Sequence, residues 1–255
     1  MYEDSFFHTV GPFFSERTSL FPATEYTEDV VLCHSQKLSK STMKKIPGGF
    51  LICVEGIDGS GKSVFSRHLT HELTQAGYPV LLTREPGGTP LGERVRDLLF
   101  DTKTPPCPKA EFLLFAASRA QHCHELIGPA LNQGSIVISD RMADSSLVYQ
   151  GYVRGLSLDL IRSVNQWAMN DLTPAVIFYL KVDAQTAFDR VAQRSTVRCD
   201  FETTLAPLEK AIDGFNSIFA SRSNVITLDA TQAPDVVLEQ GLTALKALLA
   251  THVSS

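Results

Sequence analysis

Five short runs of apolar residues recur along most of the chain, and each is followed by a helical pattern or a polar loop. The runs cover residues 50–54, 80–82, 136–138, 175–182 and 225–228. Their nearly continuous Val, Ile and Leu character is typical of strands that are covered on both faces. Strands that alternate with helices predict right-handed crossovers and a doubly wound, parallel α/β sheet of about five strands. We assign this domain to residues 48–255.

The ends of these strands indicate where a ligand would bind. In open parallel sheets, ligands collect outside the carboxyl ends of the strands. The loops that follow Val54, Leu82 and Ile138 are therefore expected to form the functional site, and all three contain residues of unusual types.

Residues 1–47 lack the alternation of the rest. They mix Phe, Ser, Thr and charged residues without a sustained period, and they end in a Lys-rich stretch at 39–45. We predict a disordered extension outside the core. The acidic residues among them argue against an organellar transit peptide, because such peptides are poor in acids. Met43 stands just before the first strand, so translation could instead begin there.

Composition and charge exclude several classes of protein. The 255 residues are 44% apolar and 20% charged, which is ordinary for a globular chain, and the net charge of −5 provides no general basic surface for nucleic acid. No apolar run approaches the length of a membrane span, so we expect a soluble, cytoplasmic protein without a membrane partner. The five cysteines are scattered and form no CxxC pair, which suggests neither a disulfide framework nor a zinc site.

The loop after the first strand matches the phosphate-binding pattern GxxxxGK[ST]. It reads Gly56-Ile57-Asp58-Gly59-Ser60-Gly61-Lys62-Ser63 and lies between a strand and a helical run at 64–75. Its glycines would let backbone N–H groups surround the phosphates of ATP, and the helix would point its positive end at them. Lys62 would contact the β- and γ-phosphates, and Ser63 would coordinate Mg²⁺. A glycine-rich turn without a ligand is the alternative, and the motif alone does not distinguish a kinase from a GTPase or an ATPase.

Three further segments carry distinctive residues. They read Thr83-Arg84-Glu85-Pro86-Gly87-Gly88-Thr89, then Leu114-Phe115-Ala116-Ala117-Ser118-Arg119-Ala120-Gln121-His122, then Asp140-Arg141-Met142-Ala143-Asp144-Ser145-Ser146-Leu147-Val148-Tyr149-Gln150-Gly151. Together with the phosphate loop, these segments resemble thymidylate kinase, and the resemblance spans about residue 49 to the end. It implies a P-loop NTPase-type fold with a lid, a homodimer, and the phosphorylation of thymidine monophosphate (dTMP) to the diphosphate with ATP and Mg²⁺.

The acceptor phosphate needs permanently charged, bidentate partners, and Arg84 and Arg141 are placed to supply them. The resemblance includes Pro86 in the same acceptor segment. Asp140 would organise Mg²⁺ or its waters, or would merely cap the next turn. Asp58 resembles the acid of the family that accepts a hydrogen bond from the 3′-hydroxyl of the acceptor; a plain turn-forming Asp is the alternative.

The base site is predicted on the central helical segment. Phe115 and Arg119 are four residues apart, so the ring could stack on thymine while the guanidinium reads a carbonyl oxygen. Periodicity alone would place Phe115 in the core. The resemblance implies that another group lines the base and the 2′ position of the sugar, with Tyr149 favouring deoxyribose. This group is Ser145, Ser146, Tyr149 and Gln150.

The predicted lid, at about residues 192–204, departs from the family pattern. The family ends this segment with D-R-x-E, where this chain has Cys199-Asp200-Phe201-Glu202. Arg194 and Arg198 are the candidate catalytic cations, and a solvated helix end is the alternative. Other changes are Ser118 for Asp and Met142 for an aromatic residue or His. The competing functions are another nucleotide or nucleoside kinase, and a degenerate nucleotide-binding regulatory protein.

Overall fold

The computed structural model describes residues 43–193 and 204–253. All five predicted strands are confirmed within these residues. They are β1 (Phe50–Glu55), β2 (Val80–Arg84), β3 (Ile136–Asp140), β4 (Val176–Lys181) and β5 (Val225–Asp229). The strands β2 and β3 run two residues beyond their apolar runs, because Thr83 pairs with Ser139 and Arg84 with Asp140 in the same ladder. The predicted site residues Arg84 and Asp140 are therefore the last residues of strands.

Helices connect and cover these strands. They are α1 (Lys62–Gln75), α2 (Pro90–Leu99), α3 (Pro108–His122), α4 (Gly128–Asn132), α5 (Ala143–Ser146), α6 (Leu158–Ala168), α7 (Ala184–Ala192), α8 (Leu205–Phe219) and α9 (Pro234–Val253). Two π-helical segments, Cys123–Ile127 and Leu147–Val153, extend α3 and α5 without a break. The segment quoted above that begins at Asp140 is thus helical from Ala143 onward.

The sheet is parallel throughout, with the strand order β2-β3-β1-β4-β5. The doubly wound prediction is confirmed. Because β3 lies between β1 and β2, the carboxyl ends of the three strands whose loops carry unusual residues are adjacent. The register places Asp140 opposite both Val54 and Arg84, so the three loops leave the same edge of the sheet.

The core lies on both faces of β1 and β4. The side chains of Ile52 and Phe178 are fully buried, and α8 places Phe215 over the sheet, where its ring lies 5.3 Å from that of Tyr179. Burying a side chain of this size contributes about 1.5–3 kcal/mol.

The first described residues already pack against the domain. The Lys44 backbone N–H donates to the Gly77 carbonyl at 3.0 Å, and the side chain of Ile46 is fully buried in the main core. The remaining residues of the predicted extension, 1–42, lie outside the described residues. Within the described ranges, none of the helices combines the length and apolarity that crossing a bilayer requires.

Candidate active site

A cavity of about 260 Å³ lies at the shared edge of β1, β2 and β3. Fifteen of the residues predicted from the sequence line it. They are Asp58, Gly59, Gly61, Lys62, Ser63, Arg84, Pro86, Phe115, Arg119, Asp140, Arg141, Ser145, Ser146, Tyr149 and Gln150. Segments from three different loops and from α3 therefore meet around one space, as the strand order requires.

The phosphate loop forms the wall nearest β1. Gly56, Gly59 and Gly61 all have positive φ, between 83° and 146°, which is a conformation that favours glycine. A side chain at Gly59 would also collide with α7, since an added Cβ would lie 2.3 Å from the Ala187 carbonyl oxygen. The loop leads directly into α1, whose first residue is Lys62. The end of the loop thus stands at a helix N-terminus, where an anion is favoured.

Lys62 is buried beside this loop. Its Nζ donates to the Ile57 carbonyl at 2.7 Å. Burial lowers the pKa of Lys62 to about 8, and the charge of Arg141 acts in the same direction, while Asp58 and Asp140 oppose it. An ammonium held in this way gains a strong partner when a phosphate enters the loop.

Ser63 and Asp140 both line the cavity and are in direct contact. The Ser63 hydroxyl donates to Asp140 Oδ2 at 2.6 Å, although 77 residues separate the two. A hydroxyl oxygen and a carboxylate oxygen are ligands that suit Mg²⁺, which keeps several waters and substrate oxygens in its shell. Because this pair supplies only two oxygen ligands, it fits a metal whose other ligands come from nucleotide and water. Among the described residues, no group of three or more His, Cys, Asp and Glu side chains could hold a metal ion.

Arg141 and Asp58 form the centre of the acceptor side. Arg141 Nη2 donates to Asp58 Oδ1 at 2.6 Å, and the Tyr149 hydroxyl donates to Asp58 Oδ2 at 3.3 Å. Arg141 Nη1 donates to the Gly56 carbonyl and to Ser145 Oγ. Arg141 itself has a φ of 71°, a left-handed conformation that is uncommon for a residue with a side chain. These contacts join the loop after β3 to the phosphate loop.

Arg84 reaches the cavity from β2 and pairs with Glu93 of α2 at 2.9 Å. The peptide bond between Glu85 and Pro86 is cis. Arg96, which our sequence reasoning did not select, also lines the cavity; its Nη1 donates to the Pro86 carbonyl at 2.8 Å, and its guanidinium lies over the Phe100 ring. The helical pattern after Thr89 could have revealed Arg96, since it lies one turn beyond Gly92 on the side that meets the loop.

Arg119 is almost completely buried and is held by four protein groups. Its Nε donates to Glu85 Oε2 at 2.8 Å and its Nη1 to Asn165 Oδ1 at 2.6 Å. Its Nη2 donates to the Met142 carbonyl and to Ser146 Oγ. Arg119 thus lines the cavity as part of a fixed network rather than as a mobile guanidinium.

Glu85 continues this network towards β2. It pairs with His122 Nδ1 at 3.2 Å, and the other ring nitrogen of His122 contacts Thr83 Oγ1 at 2.6 Å. Burial by itself would raise the pKa of Glu85, but Arg119 and His122 hold that pKa below its usual value. Glu85 and His122 belong to the quoted motifs, yet their partnership could not be predicted because it spans 37 residues.

Phe115 is half-buried and lines the cavity, while Phe112, one turn before it on α3, belongs to a small buried cluster. The core position that periodicity predicts on this helix is therefore filled by Phe112. Gln150 lies close by and donates to Glu111 Oε1 at 2.7 Å, and Arg154 pairs with the other oxygen of the same carboxylate. Sequence reasoning missed both Glu111 and Arg154.

Glu55 was also missed. It is the last residue of β1 and is completely buried. Its carboxylate accepts hydrogen bonds from the backbone of Met142 and from the backbone and hydroxyl of Ser145. Burial, followed by the charge of Asp144, raises the pKa of Glu55 to about 7. A carboxylate at the end of an apolar strand was the signal that could have identified it.

The candidate lid cations Arg194 and Arg198 lie outside the described residues. Arg190, on the last turn of α7, is described and also escaped our sequence reasoning. Its Nη1 donates to the Ala230 carbonyl at 2.9 Å and approaches the Gly59 carbonyl at 3.5 Å. The last turn of α7, which leads towards residues 194–203, therefore contacts the phosphate loop.

Comparisons with known proteins agree with this geometry. A sequence profile described as thymidylate kinase matches residues 54–240. The thymidylate kinase of Halothermothrix orenii is 48% identical over 142 residues, which cover 56% of this chain and 69% of that protein. The thymidylate kinase of Chlorobium chlorochromatii is 39% identical over 216 residues, which cover 80% of this chain and 97% of that protein. The crystal structure of thymidylate kinase from Ehrlichia chaffeensis matches with a TM-score of 0.64 at 32% identity and covers 78% of this chain and all of that one. The chain belongs to the thymidylate kinase family.

Proposed function

We propose that the residues around this cavity transfer the γ-phosphoryl group of ATP to dTMP and so produce ADP and dTDP. One observation carries the proposal: the phosphate loop, Arg84 at the end of β2 and Arg141 just after β3 line the same cavity. A donor triphosphate and an acceptor monophosphate both need positive partners, and this arrangement offers them around one space.

The donor side is formed by the loop from Gly56 to Ser63. Its backbone N–H groups and the N-terminus of α1 hold the phosphates of ATP, and Lys62 follows the charge as it moves to the bridging oxygen. Ser63 and Asp140 would hold Mg²⁺, which, when bound, neutralises charge on the β- and γ-phosphates. An oxygen of the dTMP phosphate forms the new bond to the γ-phosphorus while the bond to the β,γ-bridging oxygen breaks. The acceptor oxygen carries no proton at neutral pH, so the step requires no general base.

The acceptor side holds dTMP through its three parts. Arg84 and Arg141 bind the phosphate, and Pro86 shapes the loop beside it. Asp58 accepts a hydrogen bond from the 3′-hydroxyl, and Tyr149, which contacts Asp58, crowds the 2′ position. Phe115 stacks on thymine. The buried network around Arg119 and Ser146, together with Ser145 and Gln150, completes the base site.

The catalytic cations of the lid are assigned to Arg194 and Arg198. Transfer of a phosphoryl group benefits from an added guanidinium that neutralises the transition state. Arg190 supports this assignment, because its contact with the Ala230 carbonyl fixes the end of α7 beside the phosphate loop.

A screen of acceptors tests the proposed reaction. The purified chain with ATP and Mg²⁺ is offered each nucleoside monophosphate and also thymidine, and the release of ADP is followed in a coupled assay, with Lys62→Met as the inactive control. We expect dTMP to be the best acceptor and thymidine to be inert, because thymidine offers no phosphate to the two arginines. Faster turnover of thymidine would support a nucleoside kinase. ATP binding without turnover of any acceptor would support a regulatory protein.

We further propose that the protein works as a cytoplasmic homodimer that pairs through α3 and α6. Trp167 is 81% exposed, and Leu160, two turns before it on α6, is 58% exposed. Leu113 of α3, which packs beside α6, is 59% exposed. Large apolar side chains grouped on one surface are typical of an interface. Light scattering of Trp167→Glu should report a monomer, whereas Val236→Glu, an exposed apolar position on α9, should remain dimeric.

A further inference from the structure

Glu55 is not among the residues that line the cavity, yet it accepts hydrogen bonds from the segment that follows Arg141. We propose that Glu55 is a positioning residue whose carboxylate fixes this loop and thereby sets the affinity of the enzyme for the phosphate of the acceptor. This inference rests on the proposed role of Arg141 as a ligand of that phosphate.

Three donors of one short segment converge on the Glu55 carboxylate. Oε1 accepts from the backbone N–H of Met142 at 2.9 Å and from that of Ser145 at 3.3 Å. Oε2 accepts from the hydroxyl of Ser145 at 2.7 Å. All three donors lie 87 to 90 residues away in sequence, so the carboxylate joins the end of β1 to the loop after β3.

The connection continues to the guanidinium of Arg141. Arg141 Nη1 donates to the same Ser145 hydroxyl oxygen at 3.0 Å, while Nη2 pairs with Asp58 at 2.6 Å. The backbone of Arg141 has a left-handed φ of 71°, which a residue with a side chain adopts only when its surroundings hold it there. The anchored neighbour Met142 and the bridged Ser145 are the surroundings that supply this constraint. Glu55 is therefore linked to the backbone of Arg141 through one hydrogen bond to its neighbour Met142, and to the guanidinium through two hydrogen bonds that share the Ser145 hydroxyl.

The carboxylate acts in its ionised form. The polar hydrogens that face it are the two N–H groups, the Ser145 hydroxyl and the Cys53 thiol at 3.6 Å. A protonated carboxyl group offers fewer acceptor positions and adds a donor of its own. The charged groups that act on Glu55 are Asp144 on α5 and Arg141 on the loop, and Lys62 on α1 is coupled to it in turn. Since burial raises the pKa of Glu55 to about 7, the loop is held most firmly above that pH.

The test compares two ligands that differ only in the phosphate. Glu55→Gln keeps the shape of the side chain but replaces one acceptor by a donor. Calorimetry at pH 8 should show that the variant binds dTMP at least about tenfold more weakly, while its affinity for thymidine changes by less than about threefold. The ratio of the dTMP dissociation constants of variant and wild type should fall towards one as the pH is lowered to 6. The dTMP phosphate itself also ionises near pH 6, but this affects variant and wild type equally and therefore cancels in the ratio of their dissociation constants.

The matched control is Cys53→Ala, which removes the one donor that reaches Glu55 from its own strand and leaves the three loop donors in place. This variant should bind dTMP within about twofold of wild type, although it also disturbs β1. Equal losses for dTMP and thymidine in Glu55→Gln, or an unchanged affinity for dTMP, would overturn the inference. Because wild type is assayed for turnover in parallel, failure of the proposed reaction would be recognised separately.

If Glu55→Gln does not fold, Ser145→Ala is the second variant, since it removes only the hydroxyl that links Glu55 to Arg141. It should weaken dTMP binding at least about threefold. The ratio of its dissociation constants for dTMP and thymidine should also vary less with pH, between 6 and 8, than the same ratio for wild type. A full wild-type pH response in Ser145→Ala would reject the connection through the hydroxyl.

Discussion

Replacing Lys62 should make the unliganded protein more stable while it removes activity. The ammonium is buried, and its described acceptor is the Ile57 carbonyl at 2.7 Å. A lowering of its pKa from 10.5 to about 8 means that the charged form is held less favourably than in the unfolded chain. A pKa difference of this size corresponds to about 3 kcal/mol. Lys62→Met fills the same space without a charge, so it should recover about 1–3 kcal/mol of unfolding free energy at pH 7, after the loss of the bond to Ile57.

The difference in unfolding free energy between Lys62→Met and wild type should depend on pH. Between pH 8 and 10.5 the unfolded chain still holds the Lys62 proton, whereas the folded chain has released it. The unfolding free energy of wild type should therefore rise with pH over this window relative to that of Lys62→Met, and the stability advantage of the variant should shrink. Below pH 8 the advantage should be constant.

Urea denaturation of the two proteins from pH 6.5 to 10.5, without nucleotide, measures the difference directly, and groups other than Lys62 cancel in the comparison. In parallel, the kcat of Lys62→Met should fall by at least about a thousandfold, since the cation that follows the migrating phosphoryl group is lost. The reasoning is wrong if Lys62→Met is less stable than wild type by a margin that does not change with pH, because the surroundings would then stabilise the ammonium.

Three other predictions follow from the site and the chain ends. Phe115→Ala should raise the KM for dTMP far more than the KM for ATP, by an amount that reflects a loss of about 1–3 kcal/mol of stacking; parallel increases would assign Phe115 to the core. Arg194→Ala or Arg198→Ala should lower kcat at least about a hundredfold with little effect on ATP affinity; wild-type kcat in both variants and in the double variant would require another cation. Deleting residues 1–42 should change neither the Tm nor the activity, because these residues show no periodic apolar face; a Tm lowered by several degrees would contradict this.

The parts of the fold that depend on local patterns were predictable from the sequence. Continuous apolar runs placed all five strands, and the GxxxxGK[ST] pattern placed the phosphate loop at the start of α1. Parallel topology then required the three loops to meet, and the cavity contains the predicted residues from all of them. These inferences succeeded because strand burial, turn chemistry and crossover geometry are imposed by residues close in sequence.

Contacts between distant polar side chains were not predictable. The anchoring of Ser145 by Glu55 joins residues 90 positions apart, and the pairing of Glu85 with Arg119 spans 34. Neither pairing has a period or a spacing that a single sequence displays. The tight hold on Arg119 likewise depends on Asn165, a residue of α6 that no motif marks. Binding sites use such long-range contacts to fix their geometry, and their partners emerge only from the folded chain.

The buried side chain of Ile46 determines where the protein can be shortened. Ile46 lies ahead of β1 and outside the nucleotide-binding pattern, yet it is as deeply buried as the centre of the sheet, and its backbone N–H donates to the Gly134 carbonyl. A chain that starts at Met43 keeps the buried Ile46 side chain and the hydrogen bond between Lys44 and Gly77. A chain that starts at residue 48 would leave a cavity in the main core, at a cost of about 2–5 kcal/mol for a lost aliphatic side chain of this size. For expression or crystallisation, five residues thus separate a truncation that keeps Ile46 from one that opens the core.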